Sequence, residues 1–152
     1  MISKQNLGKK ASSFFLKGFN CSQSVLLTML EHWGIKDELV PKIATGFGGG
    51  IGRCGSLCGA LTGGIMALGV KFGTSEPSAE KRLQTYEVSR RFYKEFEKRN
   101  GSVLCRKLIV YNLSDPIEYE KARNDDVFQK KCVEYVKTAV MILLEMTEEK
   151  SM

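Results

Sequence analysis

The sequence predicts an all-α fold, a single helical domain over residues 1–152 that is built around a central glycine-rich helix. Three observations predict it. Apolar residues recur at three- and four-residue spacing along most of the chain. No segment of useful length alternates apolar and polar residues as a half-buried strand does. Eleven of the fifteen glycines lie between residues 46 and 73, where a loop leads into the central helix.

The amino-terminal part of the chain predicts two helices with defined ends. The first covers residues 4–17, and Gly18 ends it. The second covers residues 21–33, with Asn20 as its N-cap and Gln23 in the matching capping-box position.

The glycine-rich part predicts a short helix over residues 37–44, a loop over residues 46–52 and the central helix over residues 55–72. Small residues recur every fourth position along that helix, at Gly55, Gly59, Gly63 and Ala67. Each such glycine costs roughly 1 kcal/mol relative to alanine. The stripe therefore favours close approach of a second backbone or a cofactor, and Gly59 and Gly63 are the candidate cofactor-binding positions.

The carboxyl-terminal half predicts four further helical segments. A long helix covers residues 78–99, with an expected buried set of Leu83, Tyr86, Phe92, Tyr93 and Phe96. Ser102 is expected to cap a short helix through residue 109, and a further piece begins at residues 114–116. The last helix covers residues 126–146, with an apolar face of Val133, Val136, Val140, Ile142, Leu143 and Met146.

Composition narrows the class of protein. The chain is 43% apolar and 26% charged, as ordinary soluble domains are, and its five cysteines are too few for a disulfide-dense scaffold. No secretory leader is visible, and no apolar run reaches the ~20 residues that a membrane helix needs. We therefore expect a cytoplasmic protein without membrane insertion, in which cysteines are more often catalytic or metal-binding than structural.

The net charge of +6 does not point to nucleic acid, because no basic tail, basic aromatic stripe or zinc-finger spacing accompanies it. The glycine loop does not match a nucleotide-binding motif, because no Lys-Ser or Lys-Thr follows it and no strand precedes it. The sequence is compatible with a redox partner protein, which it does not identify, and with a homo-oligomer.

Four cysteines stand at or near the starts of predicted helices: Cys21, Cys58, Cys105 and Cys132. Helix N-termini carry partial positive charge and free N–H groups, which favour a thiolate over a thiol. We therefore expect the four to converge on one site, as catalytic thiols or as metal ligands. Cys58 is the leading candidate, with a pKa expected below the ~8.5 of a free thiol. The alternative is that these cysteines are small buried hydrophobes.

Cys54 and Cys58 form a C-x3-C pair. On a helix, that spacing places both side chains on one face and suits two metal ligands better than a disulfide. Cys54 is thus a fifth candidate ligand, with a position in the loop as the alternative.

The string Cys58-Gly59-Ala60-Leu61-Thr62-Gly63, together with Cys21, Cys105 and Cys132, resembles the family of redox-active proteins named for the pattern C…GCAxxG…C…C. The resemblance covers roughly residues 7–144. Leu57 stands where the family name has glycine, and Cys54 is an addition to the pattern. The resemblance implies a small all-helical bacterial or archaeal protein of redox or electron-transfer function, and it supplies no substrate.

Three functions are compatible with these residues. The first is redox or electron transfer through the multi-cysteine site, by thiol–disulfide cycling or by an iron–sulfur cluster or another thiolate-bound metal. The second is a cysteine-ligated structural or sensing metal site without turnover. The third is a helical interaction module whose buried thiols are incidental.

Overall fold

The computed structural model describes residues 3–148 and confirms the all-α fold. In chain order the helices are α1 (Lys4–Leu16), α2 (Cys21–His32), α3 (Leu39–Ala44), α4 (Gly59–Phe72), α5 (Ala79–Asn100), α6 (Cys105–Ile109), α7 (Pro116–Asn124) and α8 (Val133–Glu148). A 3₁₀ turn (Thr45–Phe47) follows α3, and a π-turn (Phe128–Cys132) leads directly into α8. Residues 3–148 contain no β-strand, although one isolated antiparallel bridge joins Leu57 and Leu104.

The start of α2 is fixed as the sequence predicts. The Asn20 side chain accepts a hydrogen bond from the Gln23 N–H, and the Gln23 side chain accepts one from the Asn20 N–H. The Gln23 amide also donates to the Pro41 carbonyl at 2.9 Å and to the Thr45 hydroxyl at 3.0 Å. The Gln23 side chain therefore ties the start of α2 to α3 and to the 3₁₀ turn, and the first turn of α2 is held in place.

The core is formed by α2, α4 and α8, each of which contacts the other two. Helix α1 packs on α2 and α8, and α5 packs on α4 and α8. A second, smaller apolar cluster lies among α6, α7 and the π-turn: Cys105, Ile109, Leu113, Ala122, Val127 and Cys132. Cys21 packs against both clusters, so it lies at their junction.

Two glycines of α4 allow its backbone to approach α2 closely. A Cβ atom on Gly63 would lie 2.9 Å from the Ser22 Cα and closer still to the Ser22 carbonyl oxygen. A Cβ on Gly59 would lie 3.0 Å from the Cys21 Cβ. The prediction of close packing here is correct, but the neighbour is a backbone. The assignment of Gly59 and Gly63 as cofactor-binding residues stays a prediction, and in this structure α2 lies against both glycines.

The start of α4 differs from the prediction. The helix begins at Gly59 and not near Gly55, which has a φ of +72° and lies outside the helix. Residues 55–58 are instead engaged by the segment before α6, through backbone hydrogen bonds that a helix would not leave available. The C-x3-C pair of Cys54 and Cys58 is consequently not helical, and its interpretation as two ligands on one helix face is wrong.

The predicted buried face of α5 is partly wrong. The helix buries a single line of residues spaced four apart, Val88, Phe92 and Phe96. Leu83 is 63% exposed and Tyr86 is 55% exposed. The first turns of α5, residues 79–87, contain no buried residue. Apolar spacing alone does not show where the neighbouring helices end, and this accounts for the error.

Two other helix starts are shifted. Helix α6 begins at Cys105, and Ser102 caps a turn before it by accepting a hydrogen bond from the Leu104 N–H at 3.1 Å. The predicted last helix is interrupted by the π-turn before α8 begins at Val133. Its predicted apolar face is correct, because Val136, Val140 and Leu143 are fully buried.

The contact between α2 and α4 makes a testable prediction. Replacing Gly63 with alanine should lower the free energy of unfolding by about 1–3 kcal/mol, because the added methyl group meets the Ser22 backbone. Gly69→Ala on the same helix is the control, since no atom lies within 4 Å of the Cβ position. That change should stabilise the protein by about 0.5–1 kcal/mol. Chemical denaturation measures both, and equal effects would show that the close contact is absent.

Candidate functional site

Each of the four family-pattern cysteines lies where a helix begins. Cys21 is the first residue of α2, Cys58 is the N-cap of α4, and Cys105 is the first residue of α6. Cys132 is the last residue of the π-turn, directly before α8. Cys58, Cys105 and Cys132 are buried, and Cys21 is half-buried.

Two extended segments join the start of α4 to the start of α6 and place Cys58 and Cys105 on either side of one antiparallel bridge. The Cys58 N–H donates to the Val103 carbonyl at 2.8 Å, and the Cys105 N–H donates to the Ser56 carbonyl at 2.7 Å. The bridge between Leu57 and Leu104 lies between these two bonds. Segments that pair in this way place neighbouring residues within a few ångströms of one another, so the α4 and α6 starts are joined by backbone bonds.

Cys21 and Cys132 are also neighbours. Cys21 packs against the apolar cluster that contains Cys132, and the nearby Cys132 thiol raises the pKa of Cys21 well above its usual value. Burial raises the Cys21 pKa further, while the backbone N–H of Cys21 opposes both effects. Cys21 also influences Cys58 and Cys105 electrostatically, since it raises the pKa of both thiols. The four sulfurs therefore form one interacting group.

Tyr135 of α8 faces this group. Burial raises the pKa of Tyr135, and the nearby thiols of Cys132, Cys58 and Cys105 raise it further. The Tyr135 hydroxyl donates a hydrogen bond to the Leu108 carbonyl at 2.9 Å, which holds the ring between α8 and α6.

The predicted low pKa of Cys58 is wrong. Burial raises the Cys58 pKa, and the Cys21 thiol raises it further. The N–H groups of Ala60 and Leu61 at the start of α4 do lower it, as the helix-terminus argument expects, but they do not compensate for burial. Burial likewise raises the pKa of Cys105 to about 11, against a lowering influence of Arg106. These thiols are consequently protonated at neutral pH.

Cys54 differs from the buried thiols in its exposure to solvent. It is exposed in the glycine loop, where its carbonyl accepts a hydrogen bond from the Arg106 guanidinium at 2.7 Å. Cys54 is not one of the groups that raise or lower the pKa of Cys21, Cys58 or Cys105. The alternative that Cys54 lies in the loop is therefore the correct one.

The site does not fit a metal ion or cluster in this arrangement. Thiols are the donor type that iron–sulfur clusters and zinc take. Within residues 3–148, however, no group of three or more Cys, His, Asp or Glu side chains is placed to hold a metal ion. The raised pKa values of Cys21, Cys58 and Cys105 also oppose thiolate ligation, because ligands must be deprotonated.

A cleft of about 530 Å³ opens beside Cys21. It lies between the end of α1, the glycine loop, α7 and the π-turn, and Cys21 is the one thiol that lines it. Of the four cysteines, Cys21 is therefore the one that a molecule in the cleft would contact.

Comparison with known proteins identifies the family. The family described as "Putative redox-active protein (C_GCAxxG_C_C)" matches residues 19–146. The chain belongs to this family. It is also similar to an "Uncharacterized protein" of Archaeoglobus fulgidus, with 33% identity over 134 residues that cover 82% of each chain. No solved structure matches the chain.

The four cysteines that resemble the pattern in the family's description all lie within the matched residues 19–146, while Gly59 and Gly63 serve the packing of α4 on α2. In residues 3–148, no helix is both long enough and apolar enough to cross a membrane.

Sequence reasoning missed Tyr135 and Arg53, which border the site. A tyrosine three residues after Cys132 was a usable signal, because i and i+3 positions share a helix face. Nothing in the sequence marks Arg53, since its position depends on the unusual backbone of the glycine loop.

The raised pKa values predict slow alkylation at neutral pH. In reduced protein, iodoacetamide should modify Cys105 at a rate that rises about tenfold per pH unit up to about pH 11, since only the thiolate reacts. Exposed Cys54 serves as the internal control and should be modified first. Mass spectrometry of the labelled peptides measures both. A Cys105 rate that levels off near pH 8.5 would contradict the effect of burial.

Proposed function

We propose that the protein is a thiol–disulfide redox protein in which Cys21 and Cys132 form the working pair. The observation that carries this proposal is the packing of Cys21, which lines the cleft, against the apolar cluster that contains Cys132. Membership of a family described as redox-active supports the redox assignment in general terms.

The charge state of the site supports a dithiol–disulfide couple. Burial and the influence of neighbouring thiols keep Cys21, Cys58 and Cys105 protonated, so these three thiols are neutral in the reduced protein. A disulfide is also neutral, and oxidation would release two protons and two electrons together. A buried site of low polarity disfavours charge, and this couple leaves none behind in either state.

We assign the two sulfurs different roles because Cys21 is half-buried and Cys132 is buried. Cys21 is half-buried and lines the cleft, so its sulfur is the one that an external disulfide can reach. Its own backbone N–H at the start of α2 favours the thiolate during attack. Cys132 is buried behind it and is the resolving thiol, which displaces the mixed disulfide on Cys21.

The proposed thiol–disulfide exchange proceeds in two steps. The Cys21 sulfur bonds to one sulfur of the substrate disulfide, and the other sulfur leaves as a thiol after taking up a proton. The Cys132 sulfur then bonds to Cys21, and the second substrate thiol leaves. The substrate gains two electrons and two protons, which the cysteine pair loses, and an external dithiol reverses the reaction.

Cys58 and Cys105 complete the site as buried thiols next to the working pair. Cys21 raises the pKa of both, so each lies within electrostatic range of its sulfur. We assign them a supporting role, in which they keep the surroundings of Cys21 apolar.

Peptide mapping tests the pairing. Mild oxidation of the reduced protein should link the peptide that contains Cys21 to the peptide that contains Cys132, because Cys21 packs against the cluster that contains Cys132. Cys132→Ser should abolish this link, whereas Cys54→Ser, at an exposed loop position, should leave it unchanged. A dominant link that joins Cys58 to Cys105, or that includes Cys54, would overturn the assignment.

The protons of the couple give a second test. Because the reduced pair holds two protons that the disulfide lacks, the midpoint potential should fall by about 59 mV for each unit of rising pH near neutrality. Equilibration with dithiothreitol buffers between about pH 6 and pH 8 measures the slope. A potential that does not change with pH would contradict a dithiol couple and favour a metal-centred one.

A further inference from the structure

The cleft beside Cys21 has a distinctive lining. Its walls contain four aromatic side chains, from Phe15, Phe19, Tyr119 and Phe128. The Tyr119 and Phe128 ring centroids are 5.8 Å apart, so the two rings form a continuous apolar wall. A ligand with a flat apolar body would be complementary to this surface.

The charge that lines the cleft is positive. Arg53 is the single charged residue that lines it, and no Asp or Glu does. Among residues 3–148, Arg53 forms no salt bridge. Arg53 also lines a neighbouring depression together with Glu120, but the Glu120 carboxylate pairs with Arg123 at 3.2 Å and not with Arg53. The positive charge of Arg53 is thus left for a ligand.

Tyr119 holds the Arg53 guanidinium at the edge of the cleft. The guanidinium lies over the Tyr119 ring, 3.9 Å from its centroid, and donates a hydrogen bond to the Tyr119 hydroxyl at 3.0 Å. A guanidinium has five N–H donors in a rigid plane, so donors remain for a carboxylate.

The backbone that presents Arg53 is strained. Residues 49–53 are consecutive left-handed positions, and two of them are not glycine: Ile51 with a φ of +68° and Arg53 with a φ of +67°. Each non-glycine residue in this region costs about 1–2 kcal/mol. Backbone strain of this kind clusters at binding sites, where the surrounding structure holds it. Here it places an arginine over a cleft that ends at a thiol.

We infer that this cleft binds a low-molecular-weight disulfide that carries a carboxylate and an apolar or aromatic body. The inference rests on the proposed function. Arg53 binds the carboxylate, the aromatic wall receives the body, and the substrate S–S bond reaches the Cys21 sulfur. Two thiols leave as Cys21 and Cys132 become a disulfide, in the balanced exchange described above.

The test compares two aromatic disulfides that differ in charge, 5,5′-dithiobis(2-nitrobenzoate), which has two carboxylates, and neutral 2,2′-dithiodipyridine. Reduced Cys54→Ser protein is used so that the exposed loop thiol does not contribute. The absorbance of the released thiols gives the rate constant for each probe. In Arg53→Gln, the rate ratio of the charged to the neutral probe should fall about tenfold, because a charge-assisted contact is lost. Arg53→Lys should keep part of the preference.

Two controls separate recognition from general effects. Arg82→Gln removes the same charge from an exposed position on α5, outside the cleft, and should leave the ratio unchanged. Ile51→Gly relieves the neighbouring strained position and should raise the melting temperature without changing the ratio. A ratio unaffected by Arg53→Gln, or lowered equally by Arg82→Gln, would overturn the inference while leaving the redox pair intact. If neither probe oxidises Cys21 and Cys132, the proposed function is wrong and the inference fails with it.

Discussion

The close contact between the backbones of α2 and α4 determines the position of the site. Gly59 and Gly63 let α4 lie against Ser22, and no larger residue leaves room for that approach. Cys21 precedes Ser22 and Cys58 precedes Gly59, so the packing of the two helices also brings these cysteines together. Since each glycine weakens the isolated helix by roughly 1 kcal/mol, the contact rather than local propensity accounts for them.

Burial then decides the chemistry of the thiols. Helix N-termini favour thiolates, and the N–H groups at the start of α4 have that effect on Cys58. Desolvation acts in the opposite direction and prevails at Cys58 and at Cys105. Placement at helix starts therefore does not make these cysteines strong nucleophiles at rest. At Cys21, the residue's own backbone N–H lowers the pKa, which favours a thiolate in the exchange that we propose there.

Much of the helical fold could be predicted from local pattern, but less of the site could. The capping box of α2 and the apolar face of α8 are local signals, and both are correct. The exposure of Leu83 depends on where neighbouring helices end, and the left-handed backbone of Arg53 depends on contacts of the glycine loop. The sign of the Cys58 pKa shift depends on desolvation, which a sequence position does not measure.

The glycine loop links the interior of the site to its entrance. At its inner side, buried Gly50 lies so close to Cys105 that a Cβ would come within 2.7 Å of the Cys105 Cβ. At its outer side, the same left-handed turn carries Arg53 onto Tyr119 above the cleft. One short segment therefore contacts both Cys105 and the lining of the cleft. Strained backbone persists where the surrounding structure holds it, and these contacts on both sides account for non-glycine residues at positions that favour glycine.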